Sequence, residues 1–285
     1  MTIAATFLPR NASSELPPIA FIGGGNMASA IVGGLIRQGT AASRFEIVEP
    51  FEEARARLAN EFGIDAKAEA SGALARCAVV VWAVKPQTFA DAAEPVRAFA
   101  GDALHLSVAA GIPSGSIARW LETERVVRAM PNTPALVGQG MTGLFARGGA
   151  DGADQALVEQ LLAPTGELLW VDTEGALDAV TALSGSGPAY VFYFIEAMTE
   201  AGVEMGLPLE QAQRLAIGTF TGASALAKSA TDAPSVLRER VTSKGGTTYA
   251  AITSMQQADI KAQFKTAIRA AQKRAAELGD EFGKA

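Results

Sequence analysis

Over the first 173 residues, short β-branched runs alternate with Ala-rich amphipathic stretches; beyond that point the β-branched runs stop. The runs are Ile19–Gly23, Phe45–Glu49, Ala78–Val84, Leu104–Val108, Arg125–Ala129, Met141–Ala146 and Leu168–Val171. Helical stretches over 26–38, 51–62, 87–100 and 151–162 separate several of them. Strands alternating with helices predict an α/β unit, a mainly parallel sheet with helices on both faces. The nearly unbroken apolarity of Val79–Val84 fits a central strand covered on both sides.

The second part reads as helices over about 188–206, 208–230, 234–241, 247–257 and 259–278. Pro188, Pro208 and Pro234 each stand at the start of one, where a missing N–H costs little. In the last, Ile260, Phe264, Ile268, Ala271, Ala275 and Leu278 recur at helical spacing, with Lys261, Lys265, Arg269 and Lys273 on other faces. The stretch 208–230 carries Ala216, Gly218, Gly222, Ala223, Ala225 and Ala227. Glycine inside a helix costs up to about 1 kcal/mol relative to alanine, so it marks close backbone approach and here points to subunit pairing. The expected division is a flexible tail over 1–18, an α/β domain over 19–173 and an all-α domain over 174–285.

Composition removes several kinds of chemistry. Among 285 residues there is one Cys (Cys77) and one His (His105), so no intrachain disulfide is possible. Together they are too few for a zinc site built from those residues, and no metal is expected. A single His also makes Ser-His-Asp chemistry a poor expectation. His105 lies in the apolar run Leu104–Val108 with no evident role, and Cys77 reads as a small apolar residue entering a buried strand. A net charge of −6 offers no general attraction to nucleic acid or anionic membrane. No run of about 18 apolar residues exists. The apolar patch Ile3–Leu8 has little positive charge before it and no cleavage pattern after it. A cytoplasmic protein with no nucleic-acid or membrane partner is the expectation.

After the first β-run comes Gly23-Gly24-Gly25-Asn26-Met27-Ala28, with a helix opening near Asn26. This is G-x-G-x-x-A, a permitted form of the dinucleotide fingerprint of Rossmann-type domains. Gly23 allows the tight turn, Gly25 lets a pyrophosphate approach the backbone, and Ala28 lets helix and strand pack closely. The helix start supplies unpaired N–H groups and partial positive charge. Asn26 and Met27 complete this cofactor-binding loop. Glu49 ends the second β-run 21 residues after Ala28. An acid there accepts hydrogen bonds from adenosine ribose hydroxyls and repels a 2′-phosphate, which favours NAD over NADP. Its alternative role is to cap the helix opening at Pro50. Arg55 or Arg57 also stands within reach of a phosphate.

The loop is joined by further segments: Val84-Lys85-Pro86-Gln87, Ser107–Ile112, Arg128–Ala135 and Ala182–Tyr190. Most diagnostic is Val241-Thr242-Ser243-Lys244-Gly245-Gly246-Thr247-Thr248. In this order and spacing, from about residue 19 to 280, the sequence resembles the Δ1-pyrroline-5-carboxylate reductases of proline biosynthesis. The resemblance implies an N-terminal Rossmann domain and a C-terminal helical domain that interleaves with a partner copy as a homodimer, with assembly up to decamers. It places the active site between the cofactor domain and helical-domain loops, the partner's included. It implies NAD(P)H as hydride donor. That family more often prefers NADPH and carries a neutral or basic residue near Glu49, so the acid here is a departure.

A five-membered cyclic imine bearing one carboxylate requires an anion pocket and a hydride held against the C=N carbon. Gly245 and Gly246 permit turns that aim backbone N–H groups inward, and Ser243, Thr247 and Thr248 add hydroxyl donors. A surface helix cap uses the same residue types. The family match places Thr248 near the imine nitrogen, as the catalytic residue. The nicotinamide side is expected to be lined by Val84–Pro86, Ala109–Gly111 and Met130–Pro134. Lys85 contributes charge there, or else snorkels from a strand end. Asn132 orients nicotinamide or substrate. Glu196 is an acid among aromatic residues, fit also to pair across a helix interface. Trp82, Trp120 and Trp170 read as core.

Two other readings compete. One is a related Rossmann imine or β-hydroxyacid reductase; the latter requires a catalytic lysine at a Gly-rich helix start, and Lys228 lies late in its segment. The other is a non-catalytic dinucleotide-binding sensor, against which the intact Ser243–Thr248 loop argues.

Overall fold

A computed structural model describes residues 16–283. Two compact units emerge: one runs to Glu174 and takes up the chain again from Glu281, and the other is Gly175–Asp280. The expected tail over 1–18 lies outside the described residues as far as residue 15. Its last residues are already part of the first unit, since Leu16 packs on the core and the Pro18 carbonyl accepts the Ala78 N–H at 3.0 Å.

In the first unit β1 (Ile19–Ile22), β2 (Phe45–Val48), β3 (Val79–Trp82), β4 (Leu104–Ser107), β5 (Val126–Met130), β6 (Gly140–Ala146) and β7 (Gly166–Trp170) form one sheet. Their order is β2-β1-β3-β4-β5-β6-β7. Strands β1 to β5 pair in parallel, β6 turns back antiparallel to β5, and β7 runs parallel to β6. All seven expected runs are strands. Several end a residue or two early because Gly23, Glu49 and Ala83–Val84 leave the ladder for loops.

Alternation within the strands sorts the core onto two faces. Phe21, Val79, Val81, Leu104, Leu106 and Val127 face α1 (Asn26–Arg37), α2 (Glu52–Phe62) and α5 (Gly152–Leu162), meeting Ile31, Leu35, Leu58, Val158 and Leu161. Ala20, Ile22, Val80, Trp82 and Val126 point the other way, toward Phe89, Val96, Ile117 and Leu121 of α3 (Phe89–Ala100) and α4 (Ser114–Leu121). Burying each large side chain contributes about 1.5–3 kcal/mol, so β1, β3 and β4, buried along their whole length, are the sheet's least replaceable strands. Trp120 and Trp170 are half-buried, and Trp170 donates to Glu159 at 2.7 Å.

Helix α4 is absent from the sequence expectation. Pro113-Ser114-Gly115-Ser116 reads locally as loop. The cap comes from 60 residues away: a Glu174 carboxylate oxygen accepts the Ser114 N–H at 2.5 Å, and the other accepts its hydroxyl at 2.7 Å.

The second unit is helical: α6 (Ala176–Val180) widening into a turn over Thr181–Gly185, α7 (Gly187–Glu204), α8 (Leu209–Ser229), α9 (Pro234–Arg240), α10 (Thr247–Gln257) and α11 (Ile260–Phe282). Pro188 and Pro234 lie in first turns and Pro208 is the N-cap of α8. The close approach within this unit is at Gly202, where a Cβ would meet that of Ala212 at 2.8 Å. Gly218 and Gly222 face open space within the chain. Few side chains here are buried, whereas Phe192, Tyr193, Met198, Leu215, Leu226 and Met255 are exposed. Residues Glu281 onward count with the first unit: the Gly283 carbonyl accepts from Ser116 at 2.9 Å and Arg119 at 3.0 Å.

His105 has a role that its local sequence hides. Trp82 Nε1–H donates to His105 Nδ1 at 3.0 Å, and Nε2 faces the Ala100 carbonyl at 3.1 Å. An indole can only donate, so the proton of a neutral imidazole sits on Nε2. Burial pushes the imidazole down to about 4 from 6.5, outweighing the Ala100 carbonyl; the Arg125 charge also lowers it. Because the folded value is depressed, the unfolded chain binds the proton first. Stability present above pH 6.5 is therefore lost as pH falls toward 4, by about 3 kcal/mol in full. Urea midpoints measured across this range are expected to show that slope. A His105→Leu variant is expected to flatten it while losing about 1–3 kcal/mol at neutral pH from the orphaned indole N–H; an unchanged slope in the variant counts against this origin.

Candidate active site

The topology gathers the expected cofactor-binding residues at one edge. From β1 the chain steps to β2 on one side, then crosses to β3 on the other, and ligands of open α/β sheets bind at the carboxyl ends beside such a switch. Gly23–Asn26 follow β1, Glu49 follows β2, Val84–Pro86 follow β3, Ala109–Gly111 follow β4, and Asn132 follows β5.

Gly23 is squeezed there. Its N–H donates to Val48 of β2 at 2.8 Å, its φ is +95°, and a Cβ would lie 2.5 Å from the Ala83 carbonyl oxygen beyond β3. Only glycine satisfies both conditions. Gly25 is the N-cap of α1, in extended conformation, and a Cβ on it would meet nothing within 4 Å. No side chain caps α1 and its first turn holds no acid. By contrast, Asp151 and Asp154 close the start of α5 in a capping box. An uncapped helix start behind a glycine facing open space fits a pyrophosphate. Ala28 is fully buried, as close strand–helix packing requires; Met27 packs on the core and Asn26 is exposed.

Glu49 is 6% exposed. One carboxylate oxygen accepts the Gly24 N–H at 2.7 Å and the other the Phe51 N–H at 2.9 Å. Phe51 is the N-cap of α2, so the capping alternative is realised together with a contact to the phosphate loop. Arg57 donates to the Gly24 carbonyl at 2.9 Å, and Arg55 to the carbonyls of Glu49 at 2.9 Å and Pro50 at 2.7 Å.

Lys85 is exposed, heads the turn Pro86–Thr88, and makes no ion pair among the described residues. Ala109 is buried, and its N–H donates to the Ser107 hydroxyl at 3.3 Å. Asn132 has a structural task not foreseen from sequence: its side-chain oxygen accepts the Met141 N–H at 2.9 Å, tying the loop after β5 to the start of β6.

Arg128 and Glu174 are the residues that sequence reasoning passed over. Arg128, in the middle of β5, pairs with Glu174 at 2.7 Å while Glu174 holds Ser114. Burial raises the Glu174 carboxyl, but the Ser114 N–H, Arg128 and the Ser114 hydroxyl outweigh it and hold it below the usual carboxylate range. This cluster ties β5 and the start of α4 to the segment after β7. Its members lie 46 and 60 residues apart, so no local spacing signals it.

The expected substrate residues lie in the second unit, in the loop between α9 and α10 and in the first turn of α10. Gly245 has φ +76°, and the Gly246 N–H donates to Ser243 O at 3.0 Å, closing the turn. Gly246 is the N-cap of α10 in extended conformation, so only Gly245 requires left-handed backbone. No side chain caps α10 and its first turn has no acid. Ser243, Thr247 and Thr248 are exposed, and none of their hydroxyls is spent on the cap. Glu196 lies exposed on α7, and Lys228 in the last turn of α8. Among the described residues no cluster of His, Cys, Asp and Glu is fit to hold a metal, and no helix is long and apolar enough to cross a membrane.

Comparison with known proteins gives the same two parts. The family described as pyrroline-5-carboxylate reductase dimerisation matches residues 174–278, and that described as NADP oxidoreductase, coenzyme F420-dependent, matches residues 18–111. The pyrroline-5-carboxylate reductase of Pseudomonas aeruginosa is 46% identical over 269 residues, covering 94% of this chain and 98% of that one. A solved pyrroline-5-carboxylate reductase from Coxiella burnetii has a TM-score of 0.86 at 36% identity, covering 92% and 98%. That of Plasmodium falciparum with NADP bound has a TM-score of 0.83 at 26% identity, covering 94% and 100%. Similar to such relatives along nearly its whole length, the chain belongs to the pyrroline-5-carboxylate reductase family.

Proposed function

We propose that this protein reduces the cyclic imine 1-pyrroline-5-carboxylate to L-proline with NADH or NADPH, the last step of proline biosynthesis. The observation that carries the reading is the α10 start: an uncapped helix N-terminus, a left-handed Gly245 and three exposed hydroxyls, in a chain of this family. Backbone N–H groups, aided by the helix dipole, donate to the substrate carboxylate, as do the Ser243 and Thr247 hydroxyls. Gly245 and Gly246 keep the approach open. The Thr248 hydroxyl stands at the imine nitrogen and orients it.

Gly23, Gly25, Asn26, Met27 and Ala28 hold the coenzyme pyrophosphate, and Glu49 its adenosine ribose. Val84, Lys85, Pro86, Ala109, Gly111 and Asn132 line the nicotinamide end. When bound, the coenzyme supplies the hydride. The imine carbon takes the hydride and the nitrogen takes a proton from water, so no protein nucleophile or metal is required. What the chain contributes is orientation, worth up to about 7–11 kcal/mol in well-aligned systems, and exclusion of water. The exposed apolar side chains of α7, α8 and α10 and the open faces of Gly218 and Gly222 favour a homodimer through the helical unit, assembling further up to a decamer. The protein works in the cytoplasm.

A β-hydroxyacid reductase is disfavoured by the place of Lys228 at the end of α8. Purified protein is expected to oxidise NADH or NADPH only when pyrroline-5-carboxylate is present, with proline as product; coenzyme binding without proline under any condition sinks the proposal. Thr248→Ala is expected to cut kcat/KM about 10²-fold with coenzyme affinity unchanged, whereas equal losses in both argue against its place. Light scattering at micromolar concentration is expected to give at least a dimer, and a stable monomer excludes the assembly reading.

A further inference from the structure

Glu49 does more than lie where a ribose would bind. Both of its carboxylate oxygens are engaged by backbone N–H groups, one from Gly24 inside the phosphate loop and one from Phe51 at the head of α2. Its stem is packed as well: a Cβ at Gly24 would lie 3.4 Å from Glu49 Cβ and Cγ, and 2.6 Å from Leu58. The glycine at position 24 is what lets the loop lie down on this side chain. Swinging the carboxylate away strands two N–H donors and undoes that packing.

We infer that Glu49 is a fixed selectivity element, which makes the protein favour the coenzyme without a 2′-phosphate. This rests on the coenzyme site proposed above. Each carboxylate oxygen has a further lone pair with which to accept a ribose hydroxyl. A 2′-phosphate brings close to two negative charges against a carboxylate that has nowhere to go. Arg55 and Arg57 do not reverse this balance. Their guanidinium groups are turned onto the carbonyls of Gly24, Glu49 and Pro50, where they brace the loop. The structural neighbour from Plasmodium falciparum holds NADP; the choice in this chain turns on its own residue at the end of β2.

Calorimetric titration of the full-length protein with NADH and with NADPH, without substrate, reads the preference directly. Wild type is expected to bind NADH at least about tenfold more tightly in ordinary salt. Glu49→Gln, which keeps shape and removes charge, is expected to shift the ratio toward NADPH by about the same factor, as is Glu49→Ser. Wild type binding NADPH as tightly as NADH overturns the inference even if neither variant folds. So do variants that weaken both coenzymes equally, which would make Glu49 a loop anchor only. Should Arg55 and Arg57 hold a 2′-phosphate instead, Arg57→Ala would lose NADPH selectively, again against it. Proline formation is not read, so the split in affinity stands or falls apart from the reaction.

Discussion

The carboxyl end of β1 is the constraint on which the rest depends. There Gly23 has to pass between β2 and β3, its N–H on Val48 and its missing Cβ making room for the Ala83 carbonyl. Any side chain pushes two parallel strands apart at the place where the sheet changes direction. Because the strands stay in register at this point, their carboxyl ends finish together. Five loops then share one edge, and the start of α1 faces it with unpaired N–H groups. The site is thus a by-product of strand pairing, made mostly of backbone.

A site of that kind suits a reaction in which little acid–base work falls to the protein. The single histidine is buried, neutral near pH 7 and occupied with Trp82. The single cysteine is buried, and burial, with help from Glu46, pushes its thiol up to about 11 despite the nearby Arg76 charge, so it is a poor nucleophile. What remains for binding is two uncapped helix starts, at Gly25 in one unit and Gly246 in the other, each preceded by glycine and free of acid in its first turn. At both, the partial positive charge of the helix start is left unopposed by a capping side chain or an acid.

Legibility in the sequence followed the range of the interactions. The strands were readable because a short β-branched or apolar run such as Val79–Trp82 or Leu104–Ser107 is a local property, and the phosphate loop because its three functions map onto adjacent residues. Ser243–Thr248 was readable as a motif, since a turn and a helix start are also local. Helix α4 was not, because its cap is Glu174, and neither was the Arg128–Glu174–Ser114 cluster. His105 is the strand histidine that the sequence suggests, but its partner could not be read, because it lies on the neighbouring strand, 23 residues away. The flexible lead-in was placed too far along, since Leu16 and Pro18 find their partners only when the sheet exists.

By itself, then, the sequence determined the order of the strands and of the helices other than α4, the phosphate loop and the family, since each depends on residues close together along the chain. Tertiary structure decided what contact across the sheet decides. It anchored the Glu49 carboxylate on the Gly24 and Phe51 N–H groups, gave Asn132 the Met141 N–H to hold, and set the protonation of His105. The physical reason is common to all three. A buried polar group must find its partner, and which backbone N–H or carbonyl lies within 3 Å is settled by strand register and helix packing rather than by neighbours in sequence.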